Sequence, residues 1–405
     1  MHITPVVFLG ANYYTGLSGI RTLGRRGIGV IALDYDFSTA YGLVSRYVQR
    51  RLLCPNVNTQ EHELVDFLIK LACDLGTKPV LIPSHDAYAL MISRHSEILS
   101  QHYLFHHTAQ GLLEQIVDKK SLYVLACEHN MRMPLTLFPA DSEEDEAAAA
   151  EMTYPCLVKP SISHLFVKVF RRKLFIANNR KELHEALRLS REANLDVMVQ
   201  QLIPGFDDRM FVLDVFIDQA GQATHTMTAQ KLRQFPANFG SSTLTHQYPV
   251  PELLEPGVSF LQRIGYRGYC EIEFKRHQES EEFYMIEINA RLSTLNSLFD
   301  ACGIEYPYIM YRDLTGDPLP PVNLDKHLNY AFYHFYEDIF SVRQYLRTKQ
   351  LTWKQVVKPF FAHRKVYAVW SLDDPLPSLF FFKLIFAKAW RKITSPFKPK
   401  GPQKA

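Results

Sequence analysis

The first 83 residues alternate short apolar runs with helical stretches, and that pattern leaves few folds open. Pro5-Val6-Val7-Phe8-Leu9-Gly10, Gly29-Val30-Ile31-Ala32-Leu33-Asp34 and Pro79-Val80-Leu81-Ile82-Pro83 read as strands. A loop with Gly16 and Gly19 leads into a helix over 20–26, and a second helix runs from about 61 to 75. Short strands that are apolar on both faces and separated by helices form a parallel sheet covered on both sides. The chain has 405 residues, enough for two or three domains with a large core. At 47% hydrophobic and 21% charged it is neither a disordered chain, a collagen-like repeat nor a disulfide scaffold. Cys54, Cys73, Cys127, Cys156, Cys270 and Cys302 form no C-x-x-C pair, and read as reduced thiols of a cytosolic protein. No signal segment is expected at the start, and no run reaches the roughly 18 apolar residues of a spanning helix.

Further along, strands follow one another directly. Asp118 is a helix cap before a helix over 119–129, and Asp141 to Glu151 reads as a solvated helix or linker. Cys156 to Pro160 and Lys173 to Ala177 read as strands, and Asn179 with Glu182 as the start of a helix over 180–193. Strands are expected over 196–203, 210–218, 224–231, 270–275 and 283–289. In Glu271-Ile272-Glu273-Phe274-Lys275 the three charged residues share one strand face, as do Glu287, Asn289 and Arg291 if that strand continues. Two acidic strands joined by a turn suit a hard divalent cation with phosphate, and Arg291 suits a phosphate oxygen. A polar face turned to water explains the same spacing.

"GYRGYCEIEFKR" followed by "FYMIEINARL" resembles the metal-binding segment of the ATP-grasp superfamily. "YPCLVKP", "VMVQQLIPG" and "AQKLRQFPANFGSS" resemble, in the family's order, its nucleotide-lysine strand, its adenine hinge and its lysine–arginine segment. The resemblance spans about residues 1–315, and is nearest the carboxylate–amine ligases of the D-aspartate ligase-like branch. It implies an α/β and α+β fold. A Rossmann-like domain (1–115) precedes a two-lobed ATP-grasp domain (116–320), followed by a helical C-terminal extension (321–405). It implies Glu273, Glu287 and Asn289 as ligands of Mg²⁺ (or Mn²⁺), with Glu271 the competing first ligand. It implies Lys159, Lys173, Gln200, Gln201, Leu202, Ile203 and, through the ribose, Asp208 (or Asp207) as contacts of ATP. Arg291, Lys231 and Arg233 would face the phosphoryl group or the acceptor carboxylate. The implied reaction is amide formation through an acyl phosphate, with release of ADP and phosphate. An ATP-grasp carboxylase, another acyl-phosphate-forming ligase and a non-catalytic nucleotide-binding module are the alternatives.

Two features depart from the family pattern. Ser161-Ile162-Ser163-His164-Leu165-Phe166 stands where a glycine-rich phosphate loop is usual, and Gln201 stands where the hinge often has an acid. Gly10, Gly16 and Gly19 miss the G-x-G-x-x-G spacing of a dinucleotide site. Ser84-His85-Asp86 cannot form a hydrolase relay from sequence neighbours alone. It reads as a loop at a strand end, where His85 or Asp86 could touch substrate.

The formal charge of +3 excludes nucleic acid as the main partner, yet it is unevenly spread. Residues 379–405 carry seven Lys or Arg and no acid, which leaves −4 for the rest. Residues 328–350 read as an aromatic helix packed on the catalytic domain. The end, with Leu379 to Phe382, Leu384 to Phe386 and Trp390 among Lys383, Lys388, Arg391 and Lys392, reads as an amphipathic helix with a polybasic tail. An anionic membrane surface and a homodimer are the candidate partners besides small-molecule substrates. The expected location is the cytoplasm, against the inner face of the membrane.

Overall fold

The structure, a computed structural model, describes residues 4–161, 163–362 and 364–394, with the side chains of 163–165, 362 and 391–394 excepted. Strands β1 (Val6–Leu9), β2 (Val30–Asp34), β3 (Val48–Leu53) and β4 (Val80–Pro83) form one parallel sheet in the order β3-β2-β1-β4. Strand alternation divides β1 between two cores. Val6 and Phe8 pack with Leu17 and Ile20 of the helix Tyr14–Arg25, while Val7 and Leu9 pack with Leu64 and Leu68 of the helix Glu61–Leu75. Each such buried side chain contributes about 1.5–3 kcal/mol. The first helix starts at Tyr14, so Gly16 and Gly19 are not loop residues. A Cβ at Gly16 would lie 2.1 Å from the Gly10 carbonyl, and one at Gly19 2.5 Å from the Phe8 ring. These glycines let the helix lie against β1.

A second sheet, β5 (Thr136–Leu137), β6 (Cys156–Pro160), β7 (Phe175–Ala177) and β8 (Val197–Gln201), is antiparallel in the order β5-β8-β6-β7. The helix Arg180–Glu192 covers it through Leu183, Ala186 and Leu187. Asn179 accepts from the Glu182 amide, and Glu182 accepts from the Asn178 amide. Such a cap is worth about 1 kcal/mol. Lys173 precedes β7 and is not part of it. The segment expected as a phosphate-covering loop enters the helix Ser163–Phe170, and its Ile162 and the side chains of Ser163, His164 and Leu165 lie outside the described residues.

The third sheet holds β9 (Met210–Ile217), β10 (Ala223–Phe235), β11 (Ser241–Gln247), β12 (Gly268–Arg276), β13 (Phe283–Asn289), β14 (Val322–Asn323), β15 (Tyr330–Tyr333) and β16 (Arg364–Tyr367). The order is β13-β12-β9-β10-β11-β15-β16, with β14 beside β10. The C-terminal extension is therefore helical only in part, and the sheet continues past residue 320. Tyr330 to Tyr333, read from sequence as helix, is a strand. Its alternation buries Phe332 in one core and Ala331 with Tyr333 in another, and β11 and β16 supply its hydrogen bonds. The helix of this stretch begins at Phe335.

Candidate active site

The second and third sheets enclose a cavity of about 460 Å³. Its floor is acidic. In the antiparallel pairing of β12 and β13, Glu273 stands opposite Glu287 and Glu271 opposite Asn289. On the other side of β12, Asp214 of β9 stands opposite Glu271. Burial, with Glu271 beside it, raises the Asp214 carboxyl well above its ordinary value, and the Tyr269 hydroxyl donates to it. Burial also raises Glu273 to about 7 against the pull of Lys231. The Lys231 Nζ lies 2.5 Å from Glu273 Oε2. Glu273 and Glu271 hold that lysine above its usual value in spite of burial.

Both oxygens of Glu271 are engaged, one by Asn289 Nδ2 at 3.0 Å and one by Ser293 Oγ at 2.5 Å. Asn289 Oδ1 accepts from Arg291 Nη2 at 3.0 Å, and a carbonyl oxygen keeps a second lone pair. Arg291 lies beyond the end of β13. Its Nε is 3.2 Å from Oδ1 of Asp86, which is not a loop residue but the first residue of the helix Asp86–Arg94 that follows β4. Burial works against its charge, but Asp86, Glu271 and Glu287 outweigh that and raise its pKa.

The opposite wall comes from the second sheet. Lys159 Nζ donates to Gln200 Oε1 at 2.6 Å, and Gln200 Nε2 donates to Thr136 Oγ1 at 2.9 Å. Burial, with Lys119 adding repulsion, lowers Lys159 to about 8. Lys173, exposed to solvent, donates from Nζ to the Phe239 carbonyl at 3.2 Å, and partial desolvation within the cavity lowers its pKa. Gln201 is tied to β5: its Oε1 accepts from the Leu135 amide at 3.3 Å. β8 ends there, and Leu202 and Ile203 line the cavity beyond the ladder.

Thus Lys159, Lys173, Gln200, Gln201, Leu202, Ile203, Lys231, Glu273, Glu287, Asn289 and Arg291 converge on one cavity, with Glu271. Two sequence-derived candidates do not. Arg233 is fully buried elsewhere. Its guanidinium forms a two-pronged pair with Asp338 at 2.8 and 2.7 Å and donates to the Val356 carbonyl. The strand alternation that would align it with Lys231 is broken by register shifts on both sides of Arg233. Asp208 is exposed, and it is Asp207 that is buried there, accepting from Gln234 Nε2 at 2.7 Å and the Asn238 amide at 3.1 Å. Lys275 lines the cavity on the strand face it shares with Glu271 and Glu273, and sequence reasoning gave no role to Lys119 or Gln234, which also line it. Sequence reasoning also missed Glu337, whose charge acts on Lys173, Tyr13 and Tyr14 from the C-terminal extension. Gln234 stands within the segment 229–242, but no local motif marks Lys119 or Glu337, which tertiary packing brings in.

Among the described residues no three His, Cys, Asp or Glu side chains form a preformed metal cage. Residues 118–320, half of the chain, match the family described as carbamoyl-phosphate synthase L chain, ATP binding domain. The chain belongs to this family of ATP-grasp ligases. A D-aspartate ligase of Enterococcus faecium is 25% identical over 288 residues, covering 65% of this chain and 68% of that protein. A D-alanine–D-alanine ligase of Ruminiclostridium cellulolyticum is 27% identical over 186 residues, covering 42% of this chain and 48% of that protein. The ATP-grasp fold is shared with the biotin carboxylase domain of Hydrogenobacter thermophilus 2-oxoglutarate carboxylase, in complex with MgADP and bicarbonate. There the TM-score is 0.64 at 18% identity, over 82% of this chain and 74% of that one. An L-amino acid ligase of Bacillus licheniformis gives a TM-score of 0.57 at 14% identity, over 79% and 75%.

Proposed function

We propose that this ATP-grasp ligase joins a carboxylate to an amine through an acyl phosphate. The observation that carries the reading is one cavity in which Glu273 and Glu287 face each other beneath Lys159, Lys231 and Arg291. A carboxylate oxygen of the first substrate attacks the γ-phosphorus of ATP, and the bond to ADP breaks. The amine lone pair then attacks the carbonyl carbon, phosphate leaves with its bonding electrons, and the amine gives up a proton. Such transfers depend on position and charge neutralisation, not on a protein nucleophile. Lys159 and Lys173 hold phosphate oxygens, Gln200 to Ile203 receive the adenine, and Arg291 with Lys231 faces the transferring group. Arg291 gives up Asp86 as its partner when phosphate arrives. Glu337, beside Tyr13 and Lys173, offers a carboxylate suited to the ammonium group of an amino acid.

The residues fit a magnesium or manganese ion. Glu273, raised by burial and by its carboxylate neighbours, is a site short of positive charge. Mg²⁺ is usually held by one or two carboxylates plus substrate phosphates, so a three-acid cage is not required. Glu273, Glu287 and Asn289 would hold it, with Glu271 orienting Asn289. When bound, the ion supplies neutralisation of the phosphate charge. The cytoplasm, at the inner face of a membrane met by the basic end, belongs to the same reading.

ADP release across a panel of amino acids and other carboxylate–amine pairs tests it. Release that needs both partners supports the ligase. Release with bicarbonate and no amine favours a carboxylase, and ATP binding without release under any condition favours a nucleotide-binding module.

Lys159 adds a pH signature. Free, it titrates near 8, because burial disfavours its charged form. Nucleotide phosphates favour that form, so binding draws in a proton at pH values above 8 and none near 6.5, where the group is already charged. ATP affinity is expected to weaken as pH rises through 8. Calorimetry in buffers of different ionisation enthalpy reads the proton uptake, and Lys159→Arg should abolish it. Equal uptake in both proteins counts against Lys159 as a phosphate contact.

A further inference from the structure

The C-terminal extension leaves large apolar side chains exposed at helical spacing. In the helix Trp353–Ala362 these are Trp353, Val357 and Phe361, each four residues from the next. In the helix Leu376–Thr394 they are Leu376, Leu379, Phe382 and Phe386. The second helix is not loose. Its other face is docked, with Phe381 5.3 Å from the Tyr41 ring and 6.1 Å from His334, and Leu384 packed on the main core. One apolar face is therefore used by the fold and a second is left over, more than a terminal helix needs in order to pack.

The stretch of sequence that carries these faces is strongly basic. From residue 339 to 405 the sequence carries fourteen Lys or Arg and only two acids, Asp373 and Asp374. Both acids are spent internally. Asp374 pairs with buried Arg21 at 2.9 Å and accepts from Ser45, and Asp373 pairs with Arg25 at 2.8 Å and accepts from Tyr47. Exposed Lys354 and Lys358 lie beside the first stripe, exposed Lys383 lies within the second, and Lys388 is exposed further along the same helix. Among the described residues no helix is long and apolar enough to cross a membrane.

We propose that the exposed face of the helix Leu376–Thr394 docks the enzyme on an anionic lipid bilayer, with Leu379, Phe382 and Phe386 entering the interface and neighbouring lysines meeting the headgroups. Apolar side chains inserted at the acyl boundary and lysines at the headgroups are the two terms that hold an amphipathic helix on such a surface. A second copy of this chain is the poorer occupant, because it would bring the same positive field against itself. This deepens the membrane contact of the proposed function, and moves it from the basic end beyond Thr394, which lies outside the described residues, to a folded helix. It is separable from the ligase chemistry.

The test uses the full chain with vesicles of phosphatidylserine and phosphatidylcholine, and with phosphatidylcholine alone. Binding is expected only to the anionic vesicles and should weaken as salt rises. Phe382→Ser/Phe386→Ser and Lys383→Glu/Lys388→Glu should each weaken it about tenfold or more, since each lysine near an anionic surface contributes about 1 kcal/mol. ADP release in solution should be unchanged in both, which shows that they are folded. Three results overturn the proposal: no binding to anionic vesicles, binding equal in the wild type and both variants, or a dimer in light scattering that both variants abolish. Failure of ADP release in the wild type, with vesicle binding intact, counts against the ligase reading alone.

Discussion

Glu287→Gln is expected to lower ADP release by about 10²–10³-fold while leaving the fold intact, the loss typical of removing one group that stabilises developing charge. Glu287 and Glu273 oppose each other across β12 and β13, with Glu271 and Asp214 close by. Four carboxylates share this floor, and Lys231 is the cation paired to it. The two consequences of removing one charge therefore have opposite signs. Without nucleotide, repulsion falls, and the variant should melt at or slightly above the temperature of the wild type. With ATP, divalent-ion affinity falls, and more Mg²⁺ should be needed for the remaining turnover. Thermal melts with and without MgATP, beside ADP release over a Mg²⁺ series, read both. Unchanged turnover, or a lower melting temperature without ligand, removes Glu287 from the proposed metal site.

Arg233→Met is expected to destabilise the protein by about 3–5 kcal/mol, because it leaves the buried Asp338 carboxylate without its partner. The pair is almost fully enclosed, with side chains 1% and 2% exposed. Asp338 also accepts from Thr243 Oγ1 at 2.8 Å, so the carboxylate organises β10, β11 and the Phe335–Arg347 helix together. Arg233→Met/Asp338→Leu should recover much of the loss, since an apolar pair of similar volume replaces a buried ion pair at little cost. Urea denaturation of the single and double variants measures this. The double variant should also turn over close to the wild-type rate. A stable Arg233→Met protein that has lost ADP release would instead return Arg233 to the reacting groups.

These predictions mark how far the sequence could be read. The acidic floor was legible because strand alternation is strict. Residues two apart share a face, so Glu271 with Glu273 and Glu287 with Asn289 could be aligned without coordinates. Lys159 and Gln200 to Ile203 were legible from segment order and the resemblance it carries. The alternation that aligned the acids misplaced Arg233. Alternation assumes an unbroken ladder, and two register shifts around Arg233 turn it to the opposite side. Tyr330 to Tyr333 was read as helix because an aromatic run has no period of its own. The neighbouring strands β11 and β16 decided it.

By itself, the sequence determined the alternation of strand and helix at the start, the order of the ATP-grasp segments, the acidic face of β12 and β13, and the concentration of positive charge at the end. Each is a local property, set by neighbours within a few residues. Only the tertiary structure decided that Asp86, 205 residues before Arg291, pairs with it, that Asp338 holds Arg233, and that Glu337 reaches the neighbourhood of Lys173. It also decided which face of the last helix is docked and which remains exposed. Periodicity can show that a helix has an apolar face. Whether the rest of the molecule covers that face depends on packing between segments hundreds of residues apart, and no local pattern encodes it.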